Sequence, residues 1–146
     1  MKYKNLLIFM VSMLVFVFVC VSGTAFAQDI WVGSDDKDAG RCEIYLNSDS
    51  ITRKGPPGKA PARNYIYKCT LKWVNSQGNL LFTEQVEYKF LSFPYTTEDG
   101  KQTLARTWFY AVSRNGNKLE DGKLKQGKEY YQQAFDHIKA KYQFKK

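Results

Sequence analysis

From residue 30 onward the chain alternates with a period of two. Residues 30–33 make one short apolar stretch. In 41–47, Cys42, Ile44 and Leu46 fall on one side of an extended backbone. In 63–75, Tyr65, Tyr67, Cys69, Leu71 and Trp73 alternate with Lys68, Thr70 and Lys72. In 80–90, Leu80, Phe82, Val86, Tyr88 and Phe90 alternate with Thr83, Gln85, Glu87 and Lys89, and Glu84 alone is polar on the apolar side. Segment 102–113 sets Leu104, Trp108, Tyr110 and Val112 on one side. Each pattern predicts a half-buried strand.

The breaks are equally legible. Ser48-Asp49-Ser50 predicts a turn, and 53–62 is a basic Pro/Gly loop. Residues 75–79 read as a turn joining antiparallel strands, and 94–101 as a polar loop. Asn115-Gly116 predicts a type I′ hairpin, because that turn needs φ > 0 at both central residues. A short return strand, 117–120, follows.

The period then changes. Tyr131, Ala134, Phe135, Ile138 and Tyr142 form one stripe at helical spacing, which predicts a helix over 128–142. Glu129 suits its positive end, and Lys139 and Lys141 its negative end. The stripe must be buried, and the apolar face of the sheet is its partner. The expected class is α+β: an antiparallel sheet of about five or six strands with one C-terminal helix packed on a face. A sheet curled on itself into a sandwich-like form is the other arrangement open to these elements.

Residues 1–27 follow a different logic. Lys2 and Lys4 precede an apolar run, 6–21, broken only by Ser12, and Ala25-Phe26-Ala27 supplies small residues for cleavage. This predicts a signal peptide removed after Ala27. The apolar run is short for a bilayer span of about 20 residues, the requirement of an uncleaved anchor. One domain, 28–146, then remains, secreted or periplasmic/cell-surface. Cys20 has no small residue before it, so a lipobox is lacking.

Charge sharpens this picture. The 22 Lys+Arg and 14 Asp+Glu give a net +8. Removing Lys2 and Lys4, and no acid, leaves +6. Acids concentrate in 29–49, whereas Arg53, Lys54, Lys59, Arg63, Lys68 and Lys72 follow with no acid among them. These six are the candidate anion-binding residues, for a polyanion such as glycosaminoglycan, teichoic acid or lipopolysaccharide. Lys68 and Lys72 face away from Tyr65, Tyr67 and Trp73, so cations and aromatics do not interleave as a single-stranded nucleic-acid site needs. Export argues against that partner as well.

Of the three cysteines, Cys20 leaves with the signal. In an oxidising compartment Cys42 and Cys69 predict one disulfide, worth roughly 3.5 kcal/mol in the chain-entropy model. Two free thiols are the alternative. A Cys–His137 pair lacks a nucleophile signature and an orienting third group. Asp35, Asp36 and Asp38 do not make a calcium loop: Ala39 stands where Gly is needed and Tyr45 where a bidentate Glu belongs. Glu84 and Glu87 point to opposite faces, which excludes joint acid/base work. Glu84 itself demands a local partner or a bulge. His137 flanks the helix stripe as a boundary residue. No Gly-rich phosphate loop, Ser-His-Asp set or H-E-x-x-H occurs. The expectation is a protein without catalytic residues, cofactor or metal.

The stretch WVGSDD at 31–36, then YLNSDSI at 45–51 and a long Cys-bearing strand, resembles small exported bacterial proteins of the surface-adhesin protein E type. Those open with a tyrosine-containing strand followed by Asp-x-x-Ser-Ile. Tyr45, Ser50 and Ile51 match, and Asn47 stands where Asp is usual. The resemblance implies a sheet-plus-helix fold and adhesin-like binding of host or matrix macromolecules. The function of another class is an envelope accessory protein that binds other bacterial proteins through a free sheet edge near 30–33.

Overall fold

The computed structural model describes residues 28–37 and 40–144. The expected signal peptide, and Asp38 of the acidic turn, lie outside the described residues. Six strands form one antiparallel sheet in sequence order: β1 Asp29–Lys37, β2 Gly40–Lys54, β3 Ile66–Asn75, β4 Leu80–Thr96, β5 Gln102–Arg114 and β6 Asn117–Lys123. Helix α1, Glu129–Lys141, packs into the concave side of the curled sheet. The class is α+β, as the two periodicities predict.

The core is the set of inward positions. Tyr67, Cys69, Leu71 and Trp73 of β3 are fully buried, as are Cys42, Ile44 and Leu46 of β2 and Val86 and Tyr88 of β4. From α1, Tyr130, Tyr131, Ala134, Phe135 and Ile138 close over them. Tyr130 was not in the helical stripe; it enters the core because the helix starts against β1. A Cβ on Gly33 would sit 3.0 Å from that of Tyr130, and Gly33 has φ +152°. A glycine in the β1 bulge therefore lets the first helical turn approach the sheet.

Three expectations change. Ser48-Asp49-Ser50 is a bulge inside β2, not a turn: the register runs from Asn47↔Thr70 to Thr52↔Lys68. The Ser50 hydroxyl donates to Asn47 O (2.6 Å) and accepts from Thr70 N (2.7 Å), which satisfies groups the ladder drops there. The odd number of extra residues flips the face, so Leu46 and Ile51 are both buried. Secondly, β4 continues through Pro94 to Thr96. β3 pairs with β4 only as far as Tyr88, so the N–H that Pro94 lacks faces no ladder. Leu104, expected in the core, lies on this extension and is 59% exposed.

Thirdly, the sheet sets Cys42 and Cys69, the expected bridge partners, apart. Both thiols are free and buried. Cys42 lies opposite Asn75, six residues along β3 from Cys69. That offset is about 20 Å, far beyond disulfide reach. Alternation placed the two sulfurs on one face; only register shows how far apart they are.

The Asn115-Gly116 hairpin forms as expected, with φ of 51° and 80°. α1 ends with Gln143 at φ 49° and Phe144 N donating to Lys139 O (3.1 Å). This helix-ending bond folds Phe144 back onto Tyr67 and Trp108.

Candidate functional site

Where β2 ends, the loop from residue 55 wraps around Tyr65, just before β3, and Tyr67, within it. Tyr65 donates its hydroxyl to Gly58 O (2.8 Å) and accepts from Ala60 N (3.0 Å). Tyr67 donates to Ala62 O (3.1 Å). The strand expected from Arg63 begins at Ile66, and Ala62–Asn64 form a 3-10 turn before it. The loop is thus fixed by buried phenols. Burial, opposed by the Arg53 charge, raises the Tyr67 pKa above its ordinary value, so the phenol keeps its proton and its bond to Ala62 O further into alkaline pH.

Arg53 lies over the rings of Tyr65 (4.5 Å) and Tyr142 (4.8 Å). Beside it opens a cavity of about 470 Å³, bounded by Arg53 and Lys59, residues 60–62, Tyr65, Tyr67 and the chain just after α1, Tyr142 to Phe144. Arg63 is exposed on the loop that borders it, and Lys54, the last residue of β2, is exposed on the face opposite Arg53. Among the described residues, none of Arg53, Lys54, Lys59 and Arg63 lies within ion-pair distance of a carboxylate.

The other two candidate cations are placed differently. Lys68 binds Glu87 (2.9 Å), and Lys72 binds both oxygens of Asp29 at 2.9 Å. Both lie on the convex face of the sheet, away from the cavity. Burial disfavours the charge on Glu87, but hydrogen bonds from Lys68 and Lys89 outweigh it and hold its pKa below the usual carboxylate range. Six candidates therefore divide into four without carboxylates, from the end of β2 through the loop, and two neutralised within β3. Tyr142 was legible as part of the helix stripe. Phe144 was not, because it lies beyond the helix and reaches the cavity only through the chain reversal at Gln143.

The second polar constellation surrounds Glu84, which is 2% exposed. It accepts from Arg114 Nη2 (2.8 Å), Trp73 Nε1 (2.9 Å) and Tyr131 Oη (3.5 Å). The strand is regular here, with Glu84 opposite Leu71, so the buried carboxylate is met by partners and not by a bulge. Nearby, Asp35 accepts from Tyr130 Oη (3.1 Å) and lies 4.0 Å from Lys128. Burial raises the pKa of both Tyr130 and Tyr131, so the two phenols act as donors to these carboxylates. This network ties β1, β3, β4, β5 and α1 together. Glu87 lies on the opposite face of β4, as alternation requires, and His137 is half-buried beside the helix stripe.

Among the described residues, no three His, Cys, Asp or Glu side chains lie together as a metal site, and no helix is long and apolar enough to cross a membrane. No family model, curated protein or solved structure matches the chain.

Proposed function

We propose that this chain is an exported, non-enzymatic binding domain that engages a polyanionic macromolecule at the cell surface through Arg53, Lys54, Lys59 and Arg63. The observation that carries this reading is the unequal treatment of the six cations. Four stand without carboxylates around a loop pinned by Tyr65 and Tyr67, beside an open cavity. The two within β3 already have partners. A pinned loop loses little conformational freedom on binding, so its cations act as a preorganised set.

The test is retention of the chain from residue 28 on immobilised heparin. The expected result is binding that survives about 0.15 M salt, where exposed charges more than about 8 Å apart are largely screened. Arg53→Gln with Lys59→Gln lowers the salt needed for elution, and Lys68→Gln with Lys72→Gln leaves it nearly unchanged. Elution of the unmodified chain at lower salt, or equal weakening by the two pairs of substitutions, overturns the reading.

A further inference from the structure

The cavity beside Arg53 has walls from two distant parts of the chain, and both are fixed. On one side the Tyr65 and Tyr67 hydroxyls hold the loop at Gly58, Ala60 and Ala62. On the other, Tyr142 N donates to Ile138 O (3.1 Å) and Gln143 N to Ala140 O (3.2 Å), which sets the chain reversal after α1. The Lys141 ammonium bonds Ser48 O and Ile51 O, both at 3.3 Å, and ties this end of the helix to β2. A volume of about 470 Å³ suits a small-molecule site, and its walls stand before any ligand arrives.

The lining is of two kinds. Arg53 and Lys59 supply positive charge, and among the described residues no carboxylate borders the cavity. The Arg53 guanidinium lies over the rings of Tyr65 and Tyr142, so its planar fork of donors has a set direction. Most of the remaining lining is apolar, and it includes the half-buried rings of Tyr142 and Phe144. The Tyr65 and Tyr67 hydroxyls are already committed to the loop, whereas the Gln143 side chain is exposed.

A ligand that matches this lining carries an anionic group beside an apolar surface, with a polar group for the amide. A linear polyphosphate has the charge but no apolar face, and it leaves the rings in water. An acidic peptide side chain holds its carboxylate on one or two methylenes, too little to fill the space. A pyranose ring bearing a carboxylate or sulfate has all three features: a broad C–H face, a charge at its edge and hydroxyls. We propose that the cavity seats one acidic sugar residue of a carboxylated or sulfated polysaccharide. Its anionic group binds Arg53 and Lys59, its C–H face lies on Tyr142 and Phe144, and a hydroxyl meets the Gln143 amide. This inference rests on the polyanion reading and names the class of polyanion.

The experiment measures binding of the chain from residue 28 to a heparin tetrasaccharide and to a linear polyphosphate of the same formal charge, beside the heparin-retention assay. The tetrasaccharide is expected to bind at least about tenfold more tightly at about 0.15 M salt. Tyr142→Ala keeps every charge. It is expected to weaken the tetrasaccharide about tenfold, the equivalent of about 55 Å² of apolar surface left in water, and to leave the polyphosphate unchanged. Gln143→Gly is a second probe that keeps the fold, because Gln143 has φ 49°, which glycine adopts freely. It is expected to weaken the tetrasaccharide alone, by about threefold. If Tyr142→Ala weakens both ligands alike, Gln143→Gly decides. Heparin retention with equal binding of the two ligands overturns this inference and leaves the proposed function standing. Elution of the unmodified chain from heparin at low salt removes the proposed function and this inference with it. A preference for the tetrasaccharide that both substitutions leave intact also overturns the inference, because the sugar is then read elsewhere.

Discussion

Replacing Glu84 by alanine should produce one of the largest losses of stability that any single side chain here can cause. Its carboxylate is buried and accepts from Arg114 and Trp73 at 2.8 and 2.9 Å, with Tyr131 at the limit of hydrogen-bond distance. Each bond to a charged acceptor contributes about 1.5–3 kcal/mol, and the Tyr131 contact adds little at its length. Removing the acceptor also leaves the Arg114 guanidinium, 3.5 Å over the Phe82 ring, without the carboxylate that pairs with it. Arg114 Nε is already buried without a partner among the described residues. The Arg114 side chain is 32% exposed, so water relieves part of this penalty. The expected cost is about 3–5 kcal/mol, the range for breaking a buried pair. For a domain of this size that lowers Tm by about 10–20 °C. Thermal melts and urea unfolding of Glu84→Ala and Arg114→Ala give the size of each loss, and the double substitution gives their coupling. Glu84→Leu with Arg114→Leu should recover much of the stability, because replacing both charges by apolar groups removes the unpaired one. A loss below about 1 kcal/mol for Glu84→Ala, or strict additivity with Arg114→Ala, would refute the reasoning.

Without reductant, a thiol reagent at pH 8 should leave the folded chain from residue 28 unlabelled and modify both cysteines once guanidinium unfolds it. Burial pushes the Cys69 thiol up to about 12, against a weaker opposing bond to Tyr88, and Cys42 is equally enclosed. No label in denaturant would restore the disulfide. Glu87→Gln should cost up to about 1 kcal/mol at neutral pH. The folded pKa of Glu87 is depressed, so its contribution is fully present above the unfolded value of about 4.3 and disappears as pH falls through the folded value. Melting curves of wild type and variant should therefore converge in acid, and a difference that grows there would contradict the assignment. Gly127→Ala should destabilise by about 1–3 kcal/mol, because the new Cβ would lie 2.6 Å from Cε1 of Tyr110. Its φ is −75°, so the loss measured by urea unfolding is steric, and an unchanged midpoint would show that the Tyr110 ring moves aside freely.

How far the sequence reaches depends on the range of the interaction. The inward residues of β3 and β4 follow from alternation, because a strand's side chains obey a local rule wherever the strand lies. The Asn115-Gly116 turn follows for the same reason: left-handed φ values are a property of those two residues. The bulge at residues 48–50 was misread because Ser-Asp-Ser satisfies its backbone locally in a turn or a bulge alike. The continuation of β4 past Pro94 was missed because a proline is excluded only where its neighbour needs the N–H. The site divides in the same way. Six cations without nearby acids in sequence were legible, but Asp29 lies 43 positions from Lys72, and their pairing is a product of the sheet.

The sequence by itself determined the class of fold, the inward faces, the single polar intruder at Glu84 and the excess of positive charge after residue 52. These are properties of short segments, written in periods of two and 3.6. The tertiary structure decided register and neighbourhood. It set Cys42 opposite Asn75 and not near Cys69, and gave Lys68 and Lys72 their carboxylates. It also left four cations without carboxylates at a loop pinned by Tyr65 and Tyr67. Pairings of that kind depend on which strands meet and where they start. No local pattern encodes this, because a sliding strand keeps its alternation while every one of its partners changes.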